Sequence, residues 1–220
     1  MRKEEAVCIG NAINKIALEH GGPLLNIGSS TREFREKIQP HVYNDIFAPL
    51  ENLGVKVIHS DLKADDGVDV SGDLLDPEVQ ARLATFKPKV ILASNLLEHL
   101  SIEVREKLPE VLSNILASGG YLIISVPYSY PLHFDPIDTY YRPSPDELCK
   151  LLPDYTKVEA KVILSTNYMS DLKKSNLKFL IIILIRLFTP FYKPKKWISI
   201  AHRFFWLFRP YKVSFVVLRK

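Results

Sequence analysis

Apolar positions along the first 130 residues change period several times, and each change marks an element. Over residues 4–20, Ala6, Ile9, Ile13, Ile16 and Ala17 recur at helical spacing and share one face, and Gly21, Gly22 and Pro23 end the pattern. Residues 24–27 are a short apolar run that predicts a strand, followed by helical material over 32–53 interrupted at Pro40 and Pro49. Gly54 closes that stretch. Residues 55–60 predict a second strand with Asp61 at its end, and Val68, Asp69 and Val70 a short third strand that finishes near Asp73. A helix is expected over 78–86. The continuous apolar run at 89–94 suits a strand buried on both faces. Residues 95–116 contain a further helix with a break expected at Pro109, Gly119 and Gly120 make a turn, and 121–126 is a fifth strand. Strand and helix alternate over about 100 residues, which argues an α/β architecture with a doubly wound, mostly parallel sheet and helices on both faces. Residues 156–164 and 211–218 supply two further strands.

Composition adds limits to this picture. A chain of 220 residues, 47% hydrophobic and 25% charged, is long enough to bury a core without disulfides or metal. We divide it into a core over 1–164, a basic, apolar helical insertion over 165–209, and a final core strand over 210–220. Cys8 and Cys149 lie far apart without a metal-like neighbourhood, so a reducing cytoplasm is expected. The first ten residues are too charged for a signal peptide.

Charge is unevenly spread. Residues 171–220 hold twelve Lys and Arg against one acid, a local +11, whereas residues 1–170 hold seventeen against twenty-four, or −7, which together give the net +4. The last fifty residues therefore face a different partner from the rest. Within 173–209 the apolar run 179–185 is far short of the roughly 20 residues a spanning helix needs, and Pro190 and Pro194 interrupt the chain soon after it. Aromatic residues such as Trp197, Phe204, Phe205 and Trp206 among Lys and Arg suit helices lying in the headgroup region of an anionic membrane, at its inner face. A helix buried against the sheet and a homodimer interface are the alternatives. Nucleic acid is a poor partner for so apolar a segment.

Candidate chemistry collects where a parallel sheet places ligands. Gly28, Asp61, Asp73, Asn95 and Pro127 all fall at or just after expected carboxyl ends of strands. Gly28 allows close backbone approach, and Ser29, Ser30 and Thr31 offer hydroxyls at a helix N-terminus. An acid ending the second strand can accept both hydrogen bonds from a ribose diol, and one after the third can meet an adenine amino group.

These stretches, LLNIGSST, HSDL, VSGDL, LASNLLEHL and ILASGGYLIISVPYSYPLH, together resemble the successive motifs of class I S-adenosylmethionine-dependent methyltransferases. The likeness covers residues 23–154 and is greatest to the branch with Asn-x-x-Glu-His after the fourth strand. It implies a Rossmann-like, seven-stranded sheet with the last strand inserted antiparallel, and S-adenosylmethionine as cofactor. Carried over residue by residue, it implies cofactor contacts from Asn26, Gly28, Ser29, Ser30, Asp61, Leu62, Asp73, Leu74, Asn95 and Leu96. The family's first motif has two or three glycines and here only Gly28 remains, so the site is read as altered and still competent, serine being small and able to hydrogen-bond. A nicotinamide dinucleotide fits less well, because Gly-x-Gly-x-x-Gly is absent.

Residues 127–144 form a proline-restricted loop with Tyr128, Tyr130, Tyr140, Asp138 and Arg142. His133 or Asp135 could take a proton from an acceptor hydroxyl or amine, with the tyrosines stacking on a sugar ring, and Arg142 could instead pair with an Asp of the loop. The resemblance sets Glu98 and His99 close to the cofactor, on a helix beginning near Asn95, so that His99 reaches the acceptor. A zinc site from His99, His133 and Cys149 has no supporting spacing. The expectation is methyl transfer to oxygen or nitrogen of a small molecule, sugar or lipid-linked saccharide. The alternatives are a methyltransferase acting on protein or RNA, and a non-catalytic Rossmann-like binding module.

Overall fold

The computed structural model describes residues 1–132 and 137–220. The chain starts with α1 (Lys3–His20) and β1 (Leu24–Ile27), then a π-helical turn (Phe34–Ile38), α2 (Pro40–Val42), a second π-helical turn (Tyr43–Phe47) and α3 (Ala48–Asn52). Next come β2 (Val57–Asp61), β3 (Val70–Ser71), α4 (Pro77–Ala84), β4 (Val90–Ser94), a 3-10 turn (Leu97–His99), α5 (Ile102–Ile115) and β5 (Tyr121–Ser129). The chain finishes with α6 (Pro145–Leu151), β6 (Thr156–Leu164), α7 (Tyr168–Lys174), α8 (Leu177–Leu187), α9 (Pro194–Arg203), a 3-10 turn (Phe204–Trp206) and β7 (Lys212–Arg219). One sheet has the order β3-β2-β1-β4-β5-β7-β6, with β7 antiparallel to both its neighbours.

The unbroken apolar runs of the central strands bury both faces of the sheet. Alternate residues point to opposite sides. Leu25, Ile27, Ile91, Ala93, Leu122 and Ile124 join the core beneath α4, α5 and α6. Leu24, Val90, Leu92, Ile123 and Phe215 join the one that α1, α2 and α3 cover, where Ile9 and Ile13 of α1 meet Ile46 and Phe47. A third, smaller core of Tyr168, Ile183, Trp206 and Tyr211 lies under α7 to α9.

Three expectations from sequence are corrected. Pro109 does not break its helix: α5 runs through it, because Leu108, Val111, Leu112 and Ile115 bury one continuous face whose packing outweighs the lost hydrogen bond. No helix begins at Asn95. Asn95 is left-handed (φ 50°), a 3-10 turn follows, and the helix proper starts after the cap position Ser101, so Glu98 and His99 are not in its first turn. Pro49 does not interrupt the 32–53 stretch, since a π-helical turn carries the chain into α3.

Candidate functional site

The loop after β1 is built from its backbone outward. Gly28 (φ 69°) and Ser30 (φ 56°) are both left-handed, so the loop curls twice within three residues. A Cβ on Gly28 would lie 3.0 Å from Leu96 Cδ1. The Ser29 N–H donates to the Ser60 carbonyl at 3.0 Å, and the Ser30 N–H donates to Asp61 Oδ2 at 2.7 Å. From below, the buried Arg35 guanidinium donates to the carbonyls of Ser29 (3.0 Å), Ser30 (2.6 Å) and Gly67 (2.8 Å). Burial pulls the Arg35 pKa down. Arg35 therefore locks the shape of this loop.

The other parallel strands end on the same side of the sheet as this loop. Asp61 closes β2, and Leu62 beside it is 66% exposed, an apolar side chain left at the rim. Asp73 folds back to accept the Leu75 N–H at 2.9 Å, and Leu74 packs against the sheet core. Asn26 is buried within β1 with its amide 3.2 Å from His59 Nδ1, so its side chain serves the β1–β2 pairing. Desolvation and the Arg35 charge lower the His59 pKa to about 4, which keeps the ring neutral as an acceptor. Asn95 donates to Glu5 Oε1 at 2.7 Å, the oxygen that also accepts from Ser125 Oγ at 2.7 Å. Glu5, buried on α1, thus ties the residue after β4 to the middle of β5.

On the β5 side, Glu98 is fully buried, and neither carboxyl oxygen has a hydrogen-bond partner among the described residues. Desolvation, reinforced by the nearby Glu5, raises its pKa to about 8, so it is a neutral acid over most of the physiological range. The Thr139 N–H and Oγ1 both donate to the Glu98 carbonyl, at 2.8 and 2.9 Å, drawing the loop over it. Asp138 and Arg142 form a buried, two-pronged ion pair at 3.0 and 2.5 Å. His99 Nδ1 donates to the Ile137 carbonyl at 2.6 Å. His133 and Asp135 lie outside the described residues. Among those described, no group of three His, Cys, Asp or Glu could hold a metal ion.

Arg2, Asp171 and Tyr211, which meet beside the end of β5, are not singled out by the sequence, whereas Tyr130 is. Arg2 pairs with Asp171 at 2.8 Å and sits over the Tyr211 ring at 4.9 Å, while Tyr130 packs on Tyr211 at 4.8 Å. These contacts join the N-terminus, the end of β5, α7 and β7. Arg2 is at the chain's edge and Asp171 lies far along it. Only the folded topology brings them together.

No family model and no curated protein matches the chain. Solved structures match its fold. A SAM-dependent methyltransferase from Archaeoglobus fulgidus superposes with a TM-score of 0.52 at 15% identity, over 96% of this chain and 94% of that one. A putative sarcosine dimethylglycine methyltransferase from Galdieria sulphuraria gives 0.59 at 12%, over 99% and 84%. Coclaurine N-methyltransferase bound to N-methylheliamine and SAH gives 0.51 at 16%, over 96% and 72%. With the strand order and the antiparallel β7, these define the chain as Rossmann-like, with the fold of class I S-adenosylmethionine-dependent methyltransferases.

Proposed function

We propose that the protein is an S-adenosylmethionine-dependent methyltransferase that methylates an oxygen or nitrogen of a small-molecule acceptor, a sugar or lipid-linked saccharide among the candidates. The observation that carries this reading is the pair of left-handed residues Gly28 and Ser30, pinned by Asp61 and Arg35 at the carboxyl end of β1. It supports a backbone cradle kept by polar contacts where glycines are missing. When bound, S-adenosylmethionine would supply a methyl group on a sulfonium, already activated for displacement. Asp61, with a second carboxylate oxygen, would accept from the ribose hydroxyls, and Leu62 would cover the adenine. Leu96 and Gly28 would bracket the amino-acid end. Methyl transfer gains most from alignment. We assign that alignment to the loop over Glu98 and to His99, and acceptance of the proton to His133 or Asp135 by their place in the sequence.

A thermal melt with S-adenosylhomocysteine, S-adenosylmethionine and NAD tests the cofactor. A ligand at about a hundred times its Kd adds roughly 2.7 kcal/mol, enough for a shift of several degrees. Shifts with both adenosyl ligands and none with NAD are expected, and Asp61→Ala should weaken S-adenosylhomocysteine binding by about tenfold or more. No shift with any ligand would overturn the reading in favour of a binding module. Transfer of labelled methyl into lipid, small polar or protein fractions then identifies the acceptor class.

A further inference from the structure

We propose that α8 and α9 form a docking surface for an anionic lipid bilayer. Of the eleven residues of α8, only Ile183 is buried. Leu177, Ile182, Leu184 and Ile185 are all at least half exposed, and the following turn presents Phe188 and Phe191, the latter 97% exposed. A helix apolar on nearly all sides is normally interior, so on a protein surface it marks a contact face. At 1.5 Å per residue α8 is about 16 Å long, half the hydrocarbon thickness, and among the described residues no helix is long and apolar enough to cross a membrane. It can lie in the interface and cannot span.

Charge selects the occupant. Residues 172–209 hold nine Lys and Arg and no Asp or Glu. A second copy of the chain, packed symmetrically, would bring this cationic segment against itself. An anionic bilayer satisfies both properties, taking the apolar side chains into the acyl boundary and the cations into the headgroups. A shallow recess of about 220 Å³ on α8 is lined by Ile182, Ile185, Thr189 and Tyr192 with one cation, Arg186, a mixture that suits a lipid.

α9 and the turn after it also touch the chain leaving β5. The Leu132 N–H donates to His202 Nδ1 of α9 at 3.1 Å, and Trp206 Nε1 donates to Ser129 Oγ at 3.2 Å, so α9 and the turn after it buttress the chain leaving β5. Docking would therefore set the chain leaving β5 beside the bilayer. If the methyltransferase reading holds, its acceptor is an amphiphile whose polar head is methylated while its tail stays in the membrane. The docking itself does not depend on that reading.

The test is co-flotation of the full chain with phosphatidylcholine vesicles, with and without phosphatidylglycerol. Recovery on the anionic vesicles should be at least about tenfold higher, and should collapse in about 1 M salt. The double variant Ile182→Glu, Ile185→Glu should lose it while melting like the parent, since both side chains are half exposed. Equal recovery on neutral vesicles, or none on anionic ones, would overturn the proposal. So would a dimer in light scattering that the double variant dissolves, which would give the face to a second copy. The S-adenosylhomocysteine melt on the same preparation keeps the two readings apart. Flotation without a melting shift upholds docking alone, and a shift without flotation upholds the cofactor alone.

Discussion

Ser30 holds a left-handed conformation that costs a residue with a Cβ about 1–2 kcal/mol, and its N–H bond to Asp61 offsets part of that cost. Ser30→Gly should therefore stabilise the protein in urea titrations, by less than about 1 kcal/mol because glycine also frees the unfolded chain. Ser30→Val should cost about 2 kcal/mol, β-branching being worst at positive φ, and should weaken S-adenosylhomocysteine binding. The reverse order would mean that the loop does not need this geometry. Glu98 yields a prediction in pH. Its folded pKa, about 8, lies above the unfolded value of 4.5, so stability is greatest at low pH and falls as pH rises through that window, by about 1.4 kcal/mol per unit. His59 acts the opposite way: its folded pKa of about 4 lies below 6.5, so stability falls as pH drops between those values. The two contributions oppose each other from pH 4.5 to 6.5. Glu98→Gln removes one of them, so the variant should gain on the parent steadily from about pH 5 to about pH 8 in urea midpoints. A difference independent of pH would show that Glu98 ionises normally.

Among the elements, the contact of α1 with the second π-helical turn depends on two residues that read as unrelated. Pro49 has no N–H, so the Asp45 carbonyl four residues earlier loses its α-helical donor. Gly10 of α1 sits against that carbonyl, and a Cβ there would lie 1.9 Å from it. Gly10→Ala should thus cost about 3 kcal/mol by forcing α1 off the turn, whereas Gly54→Ala, with nothing within 4 Å, should cost only the left-handed penalty of about 1 kcal/mol. Equal losses in thermal melts would sink the close-contact argument. The apolar pattern announced the central strands well: β1 begins and ends with its apolar run and β4 matches its own to within a residue, because a strand buried on both faces has no other way to read. Helix ends were less legible. The break expected at Pro109 was outvoted by packing, and the left-handed turn at Asn95 was hidden because asparagine tolerates that conformation without announcing it. Asp61 could be placed from its strand alone. Arg35 could not, since nothing local distinguishes an arginine that turns inward to three carbonyls from one in solvent.

At the scale of the whole molecule, the three cores are unequal. Two lie on the faces of the sheet, and β1, β4, β5 and β7 contribute to both. The third, under α7 to α9, contains four buried residues and meets the sheet through Tyr130 and Tyr211. Among the described residues its polar ties to the rest include Arg2 to Asp171, Tyr211 to Asp171, Trp206 to Ser129 and Leu132 to His202, beside the packing of Tyr130 on Tyr211. Cooperative units with fewer buried contacts open at lower free energy than the global unfolding transition. The backbone amides of α8 and α9 should therefore exchange hydrogen through openings at least about 3 kcal/mol easier than those of β4 and β5. Removing the Arg2 guanidinium, as in Arg2→Met, should widen that gap without changing strand protection, because it cuts a tie to α7 and leaves the sheet's own packing intact. Native-state exchange followed by mass spectrometry resolves both segments in one experiment. Equal protection in α8 and β4 would mean that the helices fold as one unit with the sheet and that their exposed apolar side chains carry no local cost. On anionic vesicles the same amides should slow, since the bilayer would supply the burial that the third core lacks.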